Sequence, residues 1–289
     1  MQMNLARTAA VLTTAGLLLA PAFALAAEAN FDRTLNVNGS VSVDVSTGSG
    51  YIHISPGSDN QVHIVGHVKA GHGGWFSGGS PEERVRQVAD HPPIEQTGNS
   101  IRIGKQQHDF LQNISIDYDI TMPHSTQLDA SSGSGNLRID GITGGVKANT
   151  GSGDIETTGI GGYVQLETGS GSIHSDLLSS HDVKAQTGSG DIQLKNVQGM
   201  LKAGTGSGSI DVSGQPTSPW KLETGSGNVT LSTGGAHFSL DASTGSGSVH
   251  SDPPMTTHGS LERHHVAGDI NGGGPTVRVE TGSGDVRIH

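Results

Sequence analysis

This 289-residue sequence contains no cysteine and only two tryptophans, and its aromatic content is 3%. Without thiols there can be no disulfide framework, no lipid-modified cysteine and no thiolate metal centre. So few aromatics, with charged residues at 15%, cannot fill several bulky globular cores. Basic residues are scarce too: 16 Lys and Arg stand against 27 Asp and Glu, a formal charge of −11. An acidic chain lacks the cationic footprint that nucleic acid and anionic lipid require, so neither is an expected partner. No long apolar run follows residue 27, so no integral membrane segment is expected once the leader is removed.

That leader has a short basic start ending at Arg7, an apolar stretch from Thr8 to Leu25, and a small-residue pattern at Ala24-Leu25-Ala26. Residues 1–27 therefore read as a signal peptide, with a mature chain beginning at Ala27 or Glu28 and a periplasmic or secreted destination. Its removal takes Arg7 and leaves 15 basic against 27 acidic residues, a charge of about −12 that favours solubility.

What the chain has in quantity is glycine, 45 residues of it. Much of it lies in a block of Thr or Ser followed by Gly-Ser-Gly, opening at Thr47, Ser132, Thr150, Thr168, Thr187, Thr205, Thr224, Thr244 and Thr281. From Ser132 to Thr244 the blocks recur every 18 to 20 residues, and a degenerate copy occurs at His265–Gly268. Self-similarity at this period marks a stacked repeat architecture. Disorder, the other reading of a Gly- and Ser-rich chain, carries no such period.

Aligning the blocks exposes period-two alternation. Four residues before the Thr stand Val146, Val164, Val183, Leu201 and Trp220; two before it, Ala148, Leu166, Ala185, Ala203 and Leu222; five after it, Ile155, Ile173, Ile192, Ile210 and Val229. Each repeat thus holds two short strands with one buried face, joined by Gly-Ser-Gly. Eighteen residues leave no room for a crossover helix, so equivalent strands must stack in parallel along an axis. The expected fold is all-β: a single-stranded parallel β-solenoid, right-handed by the usual crossover rule, of ten rungs and roughly 48 Å. The Thr shares the phase of the inward positions and should face inward or sit at the corner. Residues 132–289 form the repeat solenoid, and residues 28–131 form an irregular N-terminal cap that merges into it. Within the cap lies an insertion, 71–96, where Ser80-Pro81-Glu82-Glu83 signals one short helix over Pro81–Ala89. Trp75 and Phe76 in that insertion are expected to tuck over the end of the core.

The Val/Ile strands, the segment Ser80–Gly104 and the serial Thr-Gly-Ser-Gly-Asp/Ser-Ile blocks together resemble the bacterial envelope proteins grouped as a putative-adhesin domain of unknown function. The resemblance covers nearly the whole mature chain. It implies an exported β-solenoid that acts through its surface, and it brings no established catalytic or binding residues.

Several constellations bear on chemistry. Asp154, Asp191 and Asp285 follow Gly-Ser-Gly and echo calcium-binding β-rolls, but Ser172, Ser209, Ser248, Asn136 and Asn228 take the same place in other rungs. Calcium needs several oxygens at every site, so these read as turn residues and a calcium-stabilised β-roll stays an alternative. Of the 15 histidines, His53, His174 and His250 share an outward row with His174 about 19 Å from His250. The groups His63, His67, His72 and His258, His264, His265 lack a zinc spacing and read as solvated surface residues. No metal or cofactor site is expected. Glycosidase chemistry needs two nearby carboxylates; Asp154 and Glu156 are assigned to opposite faces, Glu156 and Asp211 lie three rungs apart, and no catalytic motif is present. No catalytic residue is therefore named, and a carbohydrate-active β-helix enzyme, a polysaccharide lyase or hydrolase, is the alternative function. Three positions before the Thr, Lys147, Lys184, Lys202 and Lys221 line one outward face. This stripe is the candidate ligand surface. It would grip an envelope glycan or a surface protein, with solvated edge lysines as the plain reading. The expected function is an exported, non-enzymatic envelope module, adhesin-like in form.

Overall fold

In the computed structural model, residues 27–71, 80–104, 113–178, 182–258 and 262–289 are described. The leader, Trp75, Phe76 and His72 lie outside the described residues. Among these residues, twenty-five strands form two mostly parallel sheets beside one helix, the parallel β-solenoid that the period predicts.

The chain enters through β1 (Glu28–Asn36) and then makes its first block rung, β2 (Ser42–Thr47) and β3 (Ile52–Pro56). An excursion follows: β4 (Gln61–Ala70), α1 (Pro81–Asp90), β5 (Ile94–Thr97), β6 (Ser100–Ile103) and β7 (Ile114–Met122). Six sequential rungs come next, each one strand per sheet: β8 (Gln127–Ser132) with β9 (Leu137–Asp140), β10 (Val146–Thr150) with β11 (Ile155–Ile160), β12 (Val164–Thr168) with β13 (Ile173–Leu177), β14 (Val183–Thr187) with β15 (Ile192–Val197), β16 (Leu201–Ser207) with β17 (Ile210–Gly214), and β18 (Trp220–Ser226) with β19 (Val229–Ser232). The last part comprises β20 (Phe238–Ser246), β21 (Val249–Ser251), β22 (Met255–Thr257), β23 (His265–Ile270), β24 (Thr276–Ser283) and β25 (Val286–Ile288). Even-numbered rung strands make one sheet, here sheet B, and their odd-numbered partners make sheet A.

Registers are in phase with the repeat. Val146 lies against Val164, Val164 against Val183, Val183 against Leu201, and Leu201 against Trp220. The inward residues of both sheets belong to one apolar cluster. Narrow side chains suit this interior, and its largest member, the buried Trp220, keeps its indole N–H satisfied by the Gly199 carbonyl at 2.9 Å. Where Thr157 and Ser175 interrupt the apolar row, they occupy adjacent rungs and bond each other, Oγ1 to Oγ at 2.7 Å. A buried hydroxyl without a partner would cost about 1–3 kcal/mol.

The block has a mechanical explanation. Thr168 is buried, and its Oγ1 donates to the Gly153 carbonyl of the preceding rung at 2.8 Å while accepting the Gly171 N–H of its own corner at 3.2 Å. Thr150, Thr187, Thr205, Thr224, Thr244 and Thr281 make the same rung-to-rung donation. The hydroxyls therefore bond to corner carbonyls rather than to one another. The glycines allow that approach: a Cβ on Gly171 would stand 1.9 Å from the Gly153 oxygen.

Two features depart from sequence order. The Thr281 pair, β24 and β25, is not the outermost layer. It lies between β18/β19 on one side and β20/β21 on the other, paired in parallel with all four strands. The degenerate block His265–Gly268 does not form a parallel rung: it sits in β23, which runs antiparallel to β20 and β22 and covers the edge of sheet B. The ten rungs expected become nine block rungs, with β6 and β7 adding a further layer beyond the Thr47 rung. Antiparallel β5, β4 and β1 then close that end. The helix starts where the capping signal places it: Ser80 and Glu83 make reciprocal capping bonds, and Val85 and Val88 are buried.

Candidate functional site

Outward positions form straight rows because the registers do not slip along the rungs. On sheet B the row three before the Thr runs, in space, Asp44, Asp129, Lys147, Gln165, Lys184, Lys202, Lys221, Arg278, Asp241. Intercalation of β24 thus places Arg278 beside Lys221, and four consecutive rungs carry a cation. Arg278 escapes a reading in chain order, which would put it beyond Asp241.

The next outward row supplies carboxylates. Lys184 Nζ is 2.6 Å from Glu167, Lys221 Nζ 2.7 Å from Glu223, and Arg278 2.6 Å from Glu280, while Lys147 is 3.5 Å from Asp129. Glu167 is held below the ordinary carboxylate range chiefly by its bond from Lys184, and Glu223 by its bond from Lys221. Lys202 faces Gly204's row position and has no carboxylate within ion-pair distance among the described residues. The stripe is a band of paired charges with one open lysine.

Sheet A carries a groove of about 780 Å³ over the N-terminal rungs. One wall is the row Asp119, His53, Arg138, Glu156, His174 on successive strands. The other is formed by Tyr51, Asn136, Asp154 and Ser172, each just after a Gly-Ser-Gly corner, with Ile52 and Leu137 between the walls. A smaller hollow continues past Glu156 and His174 to Gln193 and Lys195. Asp154 and Glu156 share this face: residues two apart on a strand point the same way, and Ile155 between them is buried. Their assignment to opposite faces is corrected.

Much of the groove is internally braced. Arg138 holds Asp140 at 3.1 Å and Glu156 at 3.0 Å, and these carboxylates, Asp140 foremost, raise its guanidinium above its ordinary value. Tyr51 donates to Asp119 at 3.0 Å, and burial together with that carboxylate pushes its hydroxyl up to about 12. His53 lies 3.2 Å from Asp119 and 3.5 Å from Asp140, and His67 lies 3.3 Å from Asp119. No group of three His, Cys, Asp or Glu suited to a metal ion occurs among the described residues.

The residue after each corner has a defined task. Asn136 Oδ1 accepts the Asp154 N–H, Asp154 Oδ1 accepts the Ser172 N–H, Ser172 Oγ accepts the Asp191 N–H, and Asp191 Oδ1 accepts the Ser209 N–H. Asp, Asn and Ser all place an oxygen within reach, which explains their interchange. Three histidines expected as free surface residues have partners: His63 on Asp32, His258 on Asp269 and His265 on Asp241. These pairs are 31, 11 and 24 residues apart, and no local pattern could show them. His174 and His250 lie five strands apart rather than four, about 24 Å.

A family model described as Toastrack DUF4097 matches residues 32–289. No curated protein matches. A putative adhesin of Bacteroides fragilis NCTC 9343 is 14% identical, with 90% of this chain and 97% of that one covered at a TM-score of 0.44. A putative cell adhesion protein of Clostridium sporogenes ATCC 15579 is 13% identical, with 90% and 98% covered at a TM-score of 0.24.

Proposed function

Because the chain belongs to the Toastrack DUF4097 family, we propose that it is an exported, non-catalytic, adhesin-like module of the cell envelope that acts through its outward rows. The leader-like residues 1–27 support export. One observation carries the reading: outward side chains repeat in register on stacked strands, about 4.8 Å apart. A rigid periodic surface lets many weak contacts with a repetitive partner add up. On sheet B that partner is an anionic envelope glycan, which would take Lys202 directly and draw Lys147, Lys184, Lys221 and Arg278 from their carboxylates.

The test is retention on immobilised polygalacturonate. Wild type should be retained at low salt and released as salt rises, and the triple variant Lys184→Gln, Lys202→Gln, Lys221→Gln should run through. Equal retention of the variant would remove the stripe from the account. The same incubation checks the non-catalytic reading: new reducing or unsaturated ends would identify a polysaccharide-degrading enzyme instead.

A further inference from the structure

We propose that the groove on sheet A binds a short stretch of uncharged, hydroxyl-rich glycan. This site lies on the opposite sheet from the lysine stripe and does not depend on it.

The unused polar atoms of the groove define the ligand. On the β9 rung, Asn136 spends its oxygen on the Asp154 N–H, and Arg138 spends Nε and Nη1 on Asp140 and Glu156. Asn136 Nδ2 and Arg138 Nη2, both donors, have no protein partner among the described residues. On the β11 rung, Asp154 uses Oδ1 on the Ser172 N–H, and Glu156 uses Oε2 on Arg138. Asp154 Oδ2 and Glu156 Oε1, both acceptors, are likewise open among the described residues. A donor pair thus lies beside an acceptor pair at the strand spacing of about 4.8 Å. His174, on the next strand, extends the row.

A hydroxyl group both donates and accepts, so vicinal sugar hydroxyls satisfy both pairs at once. Other ligands meet only part of the pattern. A polyanion would face Asp119, Asp154 and Glu156, and a polycation, which only donates, would leave the Asn136 and Arg138 donors without an acceptor. An apolar ligand would strip water from these groups and return nothing, which costs more than it gains. At one end lies Tyr51, 39% exposed, its ring oriented by the hydroxyl bond to Asp119. Such a ring offers an apolar face for the C–H face of a pyranose, the combination of one apolar platform and a few placed polar groups that small-ligand sites use.

The experiment follows amide chemical shifts and affinity for the full mature chain with cellohexaose, mannohexaose and maltohexaose, and with hexagalacturonate as the anionic comparison. At least one neutral hexasaccharide should shift amides confined to Tyr51–His53, Asn136–Arg138, Asp154–Glu156 and Ser172–His174. Tyr51→Ala and Glu156→Ala should each weaken it about tenfold, about 1.4 kcal/mol. Tyr51→Phe keeps the ring and should bind within about threefold, which separates stacking from misfolding. The lysine-to-glutamine triple variant should bind like wild type. The proposal is overturned if no neutral hexasaccharide shifts these amides at millimolar concentration, if Tyr51→Ala and Glu156→Ala bind as wild type does, or if hexagalacturonate is preferred in the groove.

Discussion

The rungs from Ser132 to Ser232 and the two ends of the rod satisfy their polar groups in different ways. Along the rungs each need is met by the next copy of the same residue: the Thr hydroxyl finds the preceding corner carbonyl, and the Asp, Asn or Ser after the corner takes the following N–H. At the ends there is no next copy, and histidine–aspartate pairs appear. His53, His63, His67 and His124 pair with Asp119, Asp32 and Asp59 at one end; His250, His258, His265 and His289 pair with Asp252, Asp269 and Asp241 at the other. A repeat stabilises itself through its neighbour, so its outermost copies need separate chemistry, as well as strands that cover an open sheet edge.

Glycine substitution tests that contrast with the largest expected effect. An alanine Cβ at Gly169 would sit 2.4 Å from the Gly151 carbonyl oxygen, whereas Gly48, at the same place in the first block, has nothing within 4 Å. Gly169→Ala should destabilise by about 3 kcal/mol, as overpacking against backbone does, while Gly48→Ala should stay within about 0.5 kcal/mol. Denaturant titration of the two variants reads the difference. Equal losses would mean that the corners are not in contact as described.

A smaller effect probes the C-terminal end. Asp252 is held below the ordinary carboxylate value chiefly by a bond from His289, and Asp269 by bonds from Ser239 and His258. A carboxylate with a depressed folded value stabilises above its ordinary value near 4 and loses that contribution as pH falls through the depressed one. The melting temperature should therefore fall below about pH 4. His289→Ala should make that acid slope shallower and leave neutral pH nearly unchanged, since the pair is exposed. A melting series between pH 2 and 7 on both proteins checks this.

Much of the architecture could be read from the sequence because it is periodic. The inward rows, the buried Thr and the Ser80 helix start each follow from local spacing. The candidate sites were less legible. Arg278 joins the lysine row only through the spatial order of rungs, and near-identical blocks such as Thr224 and Thr281 carry no mark of which lies beside which. The groove depends on Tyr51 and Asn136, 85 residues apart, meeting across an excursion of the chain. His63, His258 and His265 find their partners 31, 11 and 24 residues away. What was readable is set by contacts along a strand; what was not is set by contacts between strands that the chain reaches out of order.

That order is the central claim, and a chain without cysteine allows a direct measurement of it. Ser226 and Ser283 are paired neighbours on β18 and β24, and Ser246 lies one strand beyond Ser283. A disulfide needs Cα atoms within about 7 Å. Under mild oxidation the Ser226→Cys, Ser283→Cys variant should close an intramolecular disulfide, and the Ser226→Cys, Ser246→Cys variant should not. Ready closure of the second pair and not the first would show rungs stacked in chain order and contradict the intercalated rung.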